Sequence, residues 1–115
     1  MSDYKNNLTK LLKETVFELY SGDLIFNEIT KNGVYCDFDL SEPINPEKIS
    51  EINRVLSDKN IPCAYELSSF SGVYQDGDAS KKMLQRVYVT AFATQEELKE
   101  HKDETLNAAN RKVSP

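Results

Sequence analysis

Gly72-Val-Tyr-Gln-Asp-Gly-Asp-Ala-Ser-Lys-Lys-Met-Leu-Gln-Arg-Val-Tyr-Val-Thr-Ala-Phe-Ala93 reads as a turn, a basic step and a strand. Asp76-Gly77-Asp78 has turn chemistry, because Gly takes positive φ freely and Asp hydrogen-bonds its own backbone. Lys81, Lys82 and Arg86 place three positive charges beside that turn. From Arg86 onward, Val87, Val89 and Ala91 alternate with Tyr88, Thr90 and Phe92, which is a strand pattern of branched and aromatic residues. Thr94 with Glu97 three residues later forms a capping box, so a helix is expected to start there.

Upstream, Leu8, Leu11, Leu12, Thr15, Val16, Leu19 and Tyr20 recur at helical spacing and predict a first helix over about 8–20. Ser21-Gly22 supplies its stop, with Gly expected just past the helix end. A strand over 24–30, an Asn32-Gly33 turn and an alternating strand over 34–40 predict a hairpin. Asn45-Pro46-Glu47 opens a second helix: Asn caps, Pro fits the first turn and Glu suits the positive end of the dipole. Cys63, Tyr65 and Leu67 predict a third strand, followed by a separate short strand around Val73-Tyr74. A last helix over about 95–110 has a weak apolar face of Leu98, Leu106 and Ala109, so it is expected to be peripheral.

The chain has 115 residues, 39% hydrophobic and 29% charged, which fits one folded domain over 1–115 rather than a disordered chain. No apolar run approaches a membrane span and no apolar signal core opens the chain, so a cytoplasmic location is expected. The net charge of −5 argues against a dedicated nucleic-acid binder but leaves room for a local basic patch. Cys36 and Cys63 form neither a disulfide framework nor a zinc spacing, and no cofactor or metal is expected.

Gly72-Val-Tyr74, Gly77-Asp78, Lys82-Met-Leu-Gln-Arg86, Tyr88 and Thr90-Ala-Phe92 together resemble the end of the editing domain of threonyl-tRNA synthetases. That domain, the second additional domain, is shared with alanyl-tRNA synthetases. Asn32-Gly-Val-Tyr-Cys-Asp-Phe-Asp39 and Pro43-Ile-Asn-Pro-Glu47 are similar to its hairpin and following helix, and the likeness runs over about 8–112. The resemblance implies an α+β fold, an antiparallel sheet packed with about three helices. In that family the domain hydrolyses mischarged tRNA through a His-x-x-x-His pair on the first helix and a later Cys-x-x-x-His pair. Here the first pair aligns with Asn6 and Lys10, and the segment carrying the second is replaced by the short stretch from Ile61 to Ser71. The second aromatic of the hairpin motif is Cys36.

Other chemistry is weighed against simpler roles. Cys36 with His101 has the residue types of a nucleophile and base, yet a core Cys and a solvated His explain both. Asp37 and Asp39 share a strand face and fit an acid–base pair or a solvated face. Asp76 and Asp78 lack the liganding pattern of a calcium loop. Lys81, Lys82 and Arg86 suit phosphate, while Tyr35, Tyr74 and Tyr88 suit stacking on bases; ordinary surface charge and sheet packing are the alternative. The expectation is therefore an editing-domain relative without hydrolysis that binds a tRNA acceptor end or a synthetase, with tRNA binding that falls steeply with salt. The alternatives are a deacylase with a rebuilt carboxylate site and a self-associating interaction domain.

Overall fold

The computed structural model describes residues 3–74 and 82–113, those from 108 on as backbone only. The elements run α1 (Tyr4–Tyr20), β1 (Asp23–Thr30), β2 (Gly33–Asp39), α2 (Pro46–Ser57), β3 (Ala64–Tyr74), β4 (Met83–Phe92) and α3 (Gln95–Val113). The four strands form one antiparallel sheet in the order β1-β2-β4-β3. This is the expected α+β class, an antiparallel sheet with three helices.

Alternation along β2 and β4 decides which face is which. Val34, Cys36 and Phe38 point to one side with Val87, Val89 and Ala91, and all are nearly or fully buried. Leu8, Leu12 and Val16 of α1 and Ile52 and Leu56 of α2 close over them as a single core. Both helices present apolar stripes at helical spacing, which is why they pack there. Tyr20 donates a 2.6 Å hydrogen bond to Glu51, tying the end of α1 to α2. On the other side of the sheet, α3 lies across one end: Lys102 pairs with Glu66 and the His101 ring sits 5.1 Å from that of Phe92.

The caps follow the expected chemistry with one exchange. Asn45 accepts from the Lys48 amide at 2.8 Å, and Thr94 accepts from the Glu97 amide at 3.2 Å. At the end of α1, however, Ser21 takes the left-handed position, with φ 56°, and Gly22 does not. Gly22 has a different reason to lack a side chain, since a Cβ there would collide with Leu40.

The third strand is longer than the alternation suggests. Ala64–Tyr74 is continuous, with a bulge between Leu67 and Ser69 that absorbs the break in pattern at the two serines. The Ser68 hydroxyl donates to the Tyr88 carbonyl at 3.0 Å and fastens the bulge to β4. Leu98 is buried while Leu106 is exposed, so α3 docks mainly through its first half, as its weak apolar face implies. The turn assigned to Asp76-Gly77-Asp78 lies outside the described residues. No helix among the described residues is long and apolar enough to cross a membrane.

Gly33 permits the central pairing. A Cβ there would strike the Val89 carbonyl, a backbone group that cannot swing aside. Gly33→Ala should therefore force β2 from β4 and cost about 1–3 kcal/mol, read as a lower urea midpoint at unchanged m-value. Phe38→Ala, which empties a fully buried site, should cost about 3–5 kcal/mol.

Candidate functional site

The open face of the sheet carries the residues left over from the core alternation. Tyr35 and Asp37 of β2 stand opposite Tyr88 and Arg86 of β4, and Phe26 of β1 stands opposite Asp37. Three rings form a row across three strands, with centroids 6.1 Å apart for Phe26–Tyr35 and 5.7 Å apart for Tyr35–Tyr88. The Arg86 guanidinium lies 4.1 Å from the Tyr35 ring centre and 5.9 Å from that of Tyr88. A cation over an aromatic face is held by the ring quadrupole, and the planar guanidinium also stacks.

Arg86 is simultaneously bound in its own plane. Its Nε donates to Asp37 Oδ1 at 2.6 Å and its Nη2 to Oδ2 at 2.9 Å, a two-pronged pair in which the Asp37 side chain is 5% exposed. The Asp37 hydrogen bonds raise the guanidinium pKa well above its usual value, outweighing desolvation, so Arg86 stays charged. Desolvation, then a hydrogen bond to Glu28, raises the Tyr35 phenol and keeps it neutral. Lys82 forms a second pair at 2.6 Å with Asp39. These cations are thus not the bare phosphate-seeking patch that their spacing suggests; each has a carboxylate beside it.

The expected site residues divide accordingly. Tyr35, Lys82, Arg86 and Tyr88 meet on the open face. Tyr74 does not: it pairs with Met83, and Met83, Gln85 and Val87 alternate onto the side that holds α1 and α2. The bulge at Ser68 reverses the face on which the later residues of β3 point, and single-strand periodicity conceals that reversal. Lys81 lies outside the described residues. Sequence does not mark Phe26 as a site residue because β1 shows no clean alternation; its half-exposed ring across from Asp37 is what reveals it.

The catalytic alternatives lose their geometry. Cys36 is fully buried beneath the helices, and burial pushes its thiol pKa up to about 12. His101 belongs to α3 on the opposite side of the sheet. Asp37 and Asp39 share the open face but each is engaged by a cation. Asn6 and Lys10 are one turn apart on the exposed side of α1. Among the described residues no group of three or more His, Cys, Asp or Glu is placed to hold a metal ion.

No family model matches the chain. It is similar to threonine–tRNA ligases: 37% identical over 79 residues to that of Synechococcus elongatus, covering 66% of this chain and 12% of the relative. It is 48% identical over 50 residues to that of Synechococcus sp. strain CC9902, covering 44% and 8%, and 54% identical over 37 residues to that of Exiguobacterium sp., covering 32% and 6%. The matched stretch thus spans about an eighth or less of the length of these relatives.

Two outcomes check this geometry. Asp37→Asn, which strands a charged guanidinium, should cost about 3 kcal/mol in urea unfolding, and adding Arg86→Met should recover most of it. A thiol reagent at pH 8 should label the half-buried Cys63 in the folded protein and reach Cys36 only on unfolding. The Cys36 pKa is raised on folding, so its effect on stability is nil below the unfolded value of 9.0, and stability falls as pH rises from there toward about 12.

Proposed function

We propose that this domain, a relative of a segment of the threonine–tRNA ligases, is a non-hydrolytic module that holds the unpaired acceptor end of a tRNA against the open face of its sheet. The observation that carries this reading is the row Phe26, Tyr35 and Tyr88 with the Arg86 guanidinium stacked on it. Aromatic rings exposed on a sheet accept bases whatever their identity, at roughly 1–3 kcal/mol per base. Asp37 holds Arg86 in its plane, so the stacking surface is set before any ligand arrives and little order is lost on binding. The similarity to threonine–tRNA ligases adds a tRNA as the source of the bases.

The paired state of the cations changes the expected salt behaviour. Lys82 and Arg86 each bring their own carboxylate, so the face contributes little net charge to counterion release. The slope of log affinity against log salt is then shallow, no steeper than about −1.4 for two neutralised phosphates at about −0.7 each, rather than the steep fall a bare basic patch gives. A rebuilt deacylase would need Asp37 or Asp39 as base, and both are engaged in ion pairs.

A titration of labelled tRNA, with and without its unpaired 3′ nucleotides, tests the reading. Phe26→Ala, which removes the most exposed ring of the row, should weaken binding roughly tenfold, the value of one lost stack. Tyr74→Ala, on the other side of the sheet, should leave it unchanged. Equal affinity for the truncated tRNA, or loss of binding only in Tyr74→Ala, removes the proposal. Steady release of serine from mischarged tRNA that Asp37→Asn or Asp39→Asn abolishes replaces it with the deacylase.

A further inference from the structure

The chain turns from β1 into β2 through Lys31 and Asn32, both exposed, and Gly33 is already the first residue of β2. Of the chain's asparagines only Asn32 precedes a glycine. An asparagine side-chain amide can be attacked by the backbone nitrogen of the next residue, and glycine offers that nitrogen with no side chain in the way. Neither group takes part in the aromatic row of the open face.

The fold restrains this pair by pinning its neighbours. The Lys5 ammonium of α1 donates to the carbonyls of Thr30 at 2.7 Å and Lys31 at 2.9 Å. The Ala91 amide donates to the Asn32 carbonyl at 3.0 Å. Gly33 stands in register with Thr30 on one side and Thr90 on the other. Ring closure needs the Gly33 nitrogen to turn toward the Asn32 side chain, so it waits on local opening of this hairpin end.

The same turn borders α3. Lys31 and Asn32 line one cleft with Glu97, Glu100, His101 and Glu104. We infer that Asn32 is a site of spontaneous deamidation whose product weakens the seating of α3. The Gly33 nitrogen bonds to Asn32 Cγ and gives up its proton, while the Cγ–Nδ2 bond breaks and ammonia leaves. Water then opens the five-membered imide at either carbonyl and leaves Asp or isoaspartate at position 32. No electron changes hands, and water is the one co-reactant. Lys31 is the one lysine lining the cleft, against three glutamates, so the cleft is already negative. Either product adds a carboxylate to it, and like charges there oppose docking of the helix.

The test holds the 115-residue chain in mildly alkaline buffer and follows Asn32 beside Asn53 of α2 by peptide mapping. Asn32 should convert ahead of Asn53 and yield both Asp and isoaspartate forms. Lys5→Met, which frees the Thr30 and Lys31 carbonyls, should speed conversion at Asn32 roughly fivefold and leave Asn53 unchanged. Asn32→Asp supplies one product directly. Amides of α3 should then exchange with solvent roughly two- to fivefold faster, while those of α1 and α2 exchange as before. Adding Glu100→Gln and Glu104→Gln should remove most of that acceleration. Far-UV circular dichroism confirms that each variant is folded. Conversion at Asn32 no faster than at Asn53 overturns the inference. So does a Lys5→Met rate equal to wild type, α3 exchange that ignores Asn32→Asp, or an acceleration that survives both Gln substitutions.

Discussion

The pairing of β2 with β4 is the constraint on which the rest depends. It sets Val34, Cys36 and Phe38 beside Val87, Val89 and Ala91 on one side, and Tyr35 and Asp37 beside Tyr88 and Arg86 on the other. A slip of one residue would send the apolar set into solvent and the ion pair into the core. Two features oppose such a slip. Gly33 lets the strands approach where a side chain would hit the Val89 carbonyl, and Asp37 locks Arg86 at a single position. The core and the candidate site are two faces of the same register, so a change that disturbs one disturbs the other.

Much of this was legible in the residues. Helical spacing located α1 and α2, and side-chain caps at Asn45 and Thr94 marked two helix starts; Asn32-Gly33 marked the hairpin, although the turn itself is Lys31-Asn32 and Gly33 already belongs to β2. What escaped were features that belong to pairs of strands. The Ser68 bulge inverts the alternation midway along β3, so in sequence Ser68-Ser69 reads as a break and Tyr74 falls in with rings that lie on the far side. Lys82 and Arg86 stood out as positive charges, but their neutralising partners lie more than forty residues away along the chain. Gly22 looked like a cap because glycine usually is one; its true role is to make room for Leu40.

The chemistry of the open face follows from the same separation. A strand between two neighbours has one side committed to the core, while the other can carry polar and aromatic groups as long as the register is kept. In this chain the free side carries aromatic rings and paired charges. Cys36, the residue with the most reactive side chain in β2, points the other way and is sealed by α1 and α2.

The third helix introduces a different kind of consequence. It meets the sheet through Leu98, the His101–Phe92 ring contact and an exposed Lys102–Glu66 bridge, whereas α1 and α2 share a continuous core with the sheet. Exposed bridges add little, so the helix is held by far less free energy than the domain as a whole. Its amides should therefore open at lower energy than those of the rest and exchange with solvent first. Opening would uncover Thr90 and Phe92 near the end of β4, so the usable length of the sheet's outer surface would be set by a local equilibrium rather than by a fixed boundary.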